Sequence, residues 1–157
     1  MATASPHSTL QDELKVVNCL IDLMKQEQQF LVAADTHGLE SLTPLKNGLV
    51  EQLSSFSVKR HAALQADGFA ASETGMEAWL LRMNDPAIRA SWAQLLDRTR
   101  EAKELNRVNG MLINKQFSAN QTLLNAMRAP AGSAETAVYG PSGQTSSLGG
   151  KRGAIVG

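Results

Sequence analysis

Aromatic side chains are scarce in this chain, 4% of 157 residues, and no apolar run approaches the roughly 18 residues a membrane-spanning helix needs. The first scarcity argues against a sheet core, which draws on aromatic and β-branched residues, and suits long helices. The second predicts no membrane insertion. Neither charge sign is in excess, 15 basic residues standing against 15 acidic, so no bulk electrostatic attraction to nucleic acid or anionic membrane is expected. Cys19 is the single cysteine, which rules out an internal disulfide and fits a reducing compartment. The opening MATASPHSTLQDEL lacks the basic flank and apolar core of a secretory signal, so the expected location is the cytoplasm.

Sites for chemistry are missing as well. His7, His37 and His61 have no carboxylate or cysteine at metal-ligand spacing. The GPSG at 140–143 has no lysine and no preceding strand, and fails as a phosphate-binding loop. The Gly-Gly-Lys at 149–151 fails for the same reason. The residues therefore predict no enzyme, no metal and no cofactor.

What is present is helical periodicity. Leu10, Leu14, Val17, Ile21, Met24, Gln28 and Leu31 recur at steps of four and three, a heptad seam that Leu20, Leu23 and Phe30 widen toward two neighbours. Residues 1–7 read as frayed, Ser8 or Thr9 as the cap, and Gly38 as the stop. A second helix is expected from about Leu39 to Ala66, with Pro44 near its first turn and a stripe of Leu42, Leu45, Leu49, Leu53, Phe56 and Leu64. The short connection makes the pair an antiparallel hairpin. Within it, Lys59, Arg60 and His61 read as a solvated basic turn. Residues 67–75 form a loop, and a short helix with Met76, Trp79, Leu80 and Met83 lies over one end. Asp85 and Pro86 then give a cap followed by proline at the first helical position, opening a helix that nothing but Gly110 interrupts before Met127.

That last helix is the puzzle. Its two heptad lines run Trp92, Thr99, Asn106, Ile113, Asn120, Met127 and Leu95, Ala102, Asn109, Gln116, Leu123, so four amides crowd positions that are ordinarily apolar. Either they form a polar layer inside a bundle or they belong to a face that receives another protein. Length favours the second: roughly 63 Å of helix against roughly 40 Å for each hairpin helix implies an overhang. Trp92 to Ala102 should then be core. The stretch beyond Gly110, with Leu112, Ile113, Phe117, Leu123, Leu124 and Met127, should be an exposed apolar surface of the kind that marks an interaction site. Alternating charges in DRTREAKELNR predict weak exposed pairs between the two regions.

The fold class is therefore all-α, an antiparallel helical hairpin plus a long C-terminal helix in a three-helix, coiled-coil-like bundle with one short extra helix. This bundle is expected over residues 1–129. Pro130 stops the last helix, and glycine makes up 7 of the last 28 residues, too little apolar surface to offset chain entropy, so 130–157 is expected to be a disordered tail.

The amide-rich helix end and the tail together resemble the FlgN family of flagellar export chaperones. The match rests on Leu105, Asn106, Asn109, Gly110, Leu112 and Asn120, then on Tyr139, Gly140, Gly143, Gln144 and Thr145, with weaker support from KNGLVEQL at 46–53 and from Gly149 to Val156. The resemblance implies a non-enzymatic cytoplasmic chaperone that holds hook-associated proteins near their C-terminal segments, keeps them unpolymerised and delivers them to the type III export gate. It places cargo on Asn106, Asn109, Leu112, Ile113, Phe117, Asn120, Leu123, Leu124 and Met127. Export-gate docking falls to Tyr139, Gly140, Gly143 and Gln144. An export ATPase is a further partner under the same reading. The alternative is a self-associating structural bundle or adaptor, with Asn106, Asn109 and Asn120 as a polar layer between two copies.

Overall fold

The structure, a computed structural model, describes residues 4–128; the tail motif at Tyr139, Gly140, Gly143 and Gln144 lies outside them. Among the described residues there are four helices and no strand: α1 (Leu10–Ala33), α2 (Thr36–Ala66), α3 (Glu73–Met83) and α4 (Pro86–Arg128). The chain divides into two compact units, Met1–Gln116 and Phe117–Gly157, with α4 contributing residues to each.

In the first unit α1 is the central element. Its seam residues Leu10, Leu14, Val17, Ile21, Met24 and Leu31 are buried, as their spacing predicts, and Leu20 joins them. A buried stripe this wide requires two neighbours. The segment before α1 is more ordered than expected: Ser8 N–H donates to the Ser5 carbonyl, Pro6 is fully buried and His7 stacks on Trp79 at 5.7 Å. Thr9 occupies the cap position in helical backbone, and its hydroxyl donates to Glu13 Oε2 at 2.9 Å instead of accepting from the first turn.

The turn between α1 and α2 comes earlier than Gly38. Ala34 takes the left-handed conformation, φ 55°, its N–H donating to the Leu31 carbonyl while Asp35 N–H donates to that of Phe30. Those two bonds satisfy the last carbonyls of α1, a task usually given to glycine. Asp35 then caps α2 by accepting from Gly38 N–H at 2.9 Å. Gly38 serves a different end. A Cβ there would lie 2.9 Å from the Phe30 ring, so glycine lets the two helices approach. With α2 starting at Thr36, Pro44 falls inside the helix, not in its first turn, and leaves the Glu40 carbonyl without its helical donor. Of the expected α2 stripe, Leu42 and Leu64 are buried, Leu49, Leu53 and Phe56 half-buried, and Leu45 exposed.

Two ion pairs fix the antiparallel register of α1 and α2. Arg60 pairs with Glu13, and Lys46 Nζ lies 3.1 Å from Glu27 Oε1. The carboxylates sit two heptads apart on α1 and the bases two heptads apart on α2, so both pairs form in one alignment. A slip by one turn would strand two buried carboxylates, each of which is expensive to leave unpaired. Arg60 thus belongs to the interior and not to a solvated basic turn.

Ser72 caps α3 by accepting from Gly75 N–H at 3.1 Å, placing the helix start inside the stretch expected to be loop. Gly75 is required by space, since a Cβ would stand 1.8 Å from the Ala70 carbonyl oxygen. Met76, Trp79 and Leu80 are buried, Met83 is exposed, and Trp79 Nε1 donates to Asp67 Oδ2 at 3.0 Å. Asp85 caps α4 as its sequence predicts, accepting from Ala87 N–H at 2.9 Å ahead of Pro86. From Pro86 the helix runs 43 residues and continues through Gly110.

Candidate functional surface on the last helix

Periodicity alone left α4 with two candidate seam lines, and packing selects between them. Leu95, Ala102 and Asn109 are buried in one line together with Trp92 one step before it, whereas Thr99 is half-buried and Asn106 exposed. Trp92, Leu95 and Ala102 join the core cluster of α1, α2 and α3, which matches the expectation that Trp92 to Ala102 is core.

Asn109 departs from its expected place on an open face. It is 1% exposed, and its Nδ2 donates to the Met24 carbonyl at 2.9 Å and to Glu27 Oε1 at 2.8 Å. Glu27 also accepts from Lys46, whose ammonium donates to Asn106 Oδ1 at 2.9 Å. Three helices therefore meet in one polar layer of Glu27, Lys46, Asn106 and Asn109. This layer lies within a single chain, so Asn109 is not available as the seam between two copies. Gln116, the next residue on that line, donates to the Leu31 carbonyl at the end of α1.

The residues between the lines form a wet face. Arg100 pairs with Asp97 at 3.0 Å, Arg98 with Glu101 at 2.6 Å and Arg107 with Glu104 at 2.7 Å. The hydrogen bond from Arg107 holds the Glu104 carboxyl below its ordinary range. Both side chains are solvated, so the pair adds little stability.

Beyond Gly110 the burial pattern changes. Leu112 is half-buried and Ile113 is 48% exposed in the first unit. In the second unit Phe117 is 64%, Leu123 59%, Leu124 43% and Met127 73% exposed, with Asn120 exposed among them. Phe117, Asn120, Leu124 and Met127 follow steps of three and four, which puts them on one helix face. An amphipathic helix whose large apolar residues meet solvent is an incomplete packing unit. The sequence foresaw this stretch but missed Glu13, Glu27, Lys46 and Arg60, whose only advance signal was a charged residue on or beside an apolar seam.

Among the described residues no group of three or more His, Cys, Asp or Glu could hold a metal ion, and no helix is long and apolar enough to cross a membrane.

Comparison with known proteins bears on this arrangement. The family model described as FlgN protein matches residues 1–147. The chain is similar to the flagella synthesis protein FlgN of Proteus mirabilis, 28% identical over 138 residues covering 87% of this chain and 86% of that protein. It is also similar to flagella synthesis protein FlgN of Salmonella typhimurium, 29% identical over 133 residues and 83% of each chain. The protein of that name in Escherichia coli is 27% identical over 141 residues, covering 87% of this chain and 88% of the other. No solved structure matches. Because the family match takes in all four helices, the chain belongs to the FlgN family.

Proposed function

We propose that this protein is a cytoplasmic chaperone of flagellar type III export, which binds hook-associated proteins near their C-terminal segments, prevents their premature assembly and delivers them to the export gate. The observation that carries this reading is the exposed apolar face of α4 at Phe117, Leu123, Leu124 and Met127. Full burial of four such side chains is worth at most roughly 6–12 kcal/mol, part of which association and ordering cancel. Micromolar to nanomolar binding follows. Asn120 selects among partners by disfavouring those that leave its amide unpaired, and Leu112, Ile113 and Asn106 extend the proposed surface within the first unit.

Delivery is assigned to the tail. Tyr139, Gly140, Gly143 and Gln144 are proposed to contact the export gate, with the export ATPase as a further partner. Tyr139→Ala should leave cargo binding intact while lowering secretion of the cargo; undiminished secretion would remove the assignment.

Calorimetric titration of the intact chain with the C-terminal segment of a hook-associated protein tests the cargo reading. Saturable binding that Phe117→Asp and Leu123→Asp abolish, at unchanged helical content, is the expected result. A folded wild-type chain that binds none of the hook-associated segments would refute it.

A further inference from the structure

The polar layer around Glu27 and the Glu13–Arg60 pair also mark the two ends of a trough. A cavity of about 390 Å³ opens between α2 and α4 over α1, lined at one end by Glu13 and Arg60 and at the other by Lys46 and Asn106. Along α1 these ends are about two heptads apart, on the order of 20 Å, or four turns of helix. Val17, Leu20, Met24 and Leu95 make its floor apolar. Small or polar side chains at Ser57 of α2 and Thr99 of α4 leave the space between the walls unfilled. All of it lies within the first unit.

Two buried donors in this lining have no acceptor. Trp92, 5% exposed, leaves its Nε1 unpartnered, and so does the Nε of Arg60, whose guanidinium lies over the Trp92 ring at 5.0 Å. Buried N–H groups in native proteins are nearly always satisfied, and two beside one cavity call for an oxygen from outside the chain. Lys46 and Arg60 already pair with Glu27 and Glu13, and Lys103 is matched in the lining by Glu73, so the preference for an anion rests on the two donors.

We propose that this trough takes the apolar face of an amphipathic helix from a partner protein, with an aspartate or glutamate of that helix accepting from Arg60 Nε and Trp92 Nε1. Length, apolar floor and terminal donors each match such a helix, which docks by apolar anchors at every third or fourth residue. The trough shares Asn106 with the cargo surface proposed above and none of its apolar anchors.

The probe is an alanine-based peptide of about 15 residues, four turns long, with leucines on one face and a glutamate at each end of that face. Titration into the full chain should give saturable binding at least about tenfold tighter than for the same peptide with lysines in place of the glutamates. Ser57→Phe, which fills the trough, should abolish binding while preserving helical content. Trp92→Phe removes the indole N–H while keeping an aromatic ring, and should weaken the glutamate peptide by about tenfold, one lost hydrogen bond, while leaving a leucine-ended peptide unaffected. Phe117→Asp should leave peptide binding unchanged, so this site and the cargo surface fail independently. Absence of saturable binding, equal affinity for glutamate and lysine peptides, indifference to Ser57→Phe, or loss on Phe117→Asp would each overturn the proposal.

Discussion

Glu13 of α1 and Arg60 of α2 form an ion pair whose side chains are only 4% and 10% exposed. With Glu27 and Lys46 two heptads further along each helix, this pair defines one alignment of the hairpin, and its stability effect depends on which partner is removed.

Glu13→Leu leaves Arg60 buried without its counter-ion and should cost about 3 kcal/mol. The double variant Glu13→Leu, Arg60→Leu removes both charges and should recover most of that loss. Urea unfolding midpoints measure the difference; equal destabilisation of single and double variants would show that packing, not charge, governs the site.

Asn109 joins α4 to α1 through two hydrogen bonds, one to Glu27. Asn109→Ala should lower stability by about 2 kcal/mol without changing the sedimentation behaviour of the chain. Combined with Glu27→Ala, the loss should fall short of the sum of the single losses, because each substitution breaks the same bond. A change in stoichiometry on Asn109→Ala would revive the alternative of a seam between copies.

The hairpin turn supplies opposite substitutions four residues apart. Ala34 holds a left-handed backbone that glycine adopts freely, so Ala34→Gly should stabilise by about 1 kcal/mol. Gly38→Ala drives a methyl into the Phe30 ring and should destabilise by about 1 kcal/mol. Thermal unfolding of both variants should show melting temperatures moving in opposite directions.

Gly110 lies in the helix interior, and beyond the adjacent helix backbone nothing comes within 4 Å of where a Cβ would sit. Gly110→Ala should therefore stabilise α4 by about 1 kcal/mol. The gain should appear as slower amide exchange around residue 110, and unchanged exchange would mean that the glycine causes no local weakness.

Much of this architecture was legible because helix periodicity and caps are local. The steps from Leu10 to Leu31, and Asp85 before Pro86, carry their meaning within a few residues. The turn was misplaced because its left-handed residue is an alanine, while the nearby glycine answers to a ring from the preceding helix. Arg60 looked solvated beside Lys59 and His61, since its partner lies 47 residues away. Asn106 and Asn109 were equivalent by spacing, and the position of α1 decided that Asn109 points inward. The exposed face from Phe117 to Met127 was foreseen as apolar residues that follow the core stretch in sequence.

Hydrogen exchange of the intact chain with and without a hook-associated C-terminal segment can locate the cargo on α4, because it reads each part of that helix separately. New protection is expected in residues 113–127, with slow exchange from Trp92 to Ala102 in both states. A complex that forms with no added protection from Phe117 to Met127 would contradict it.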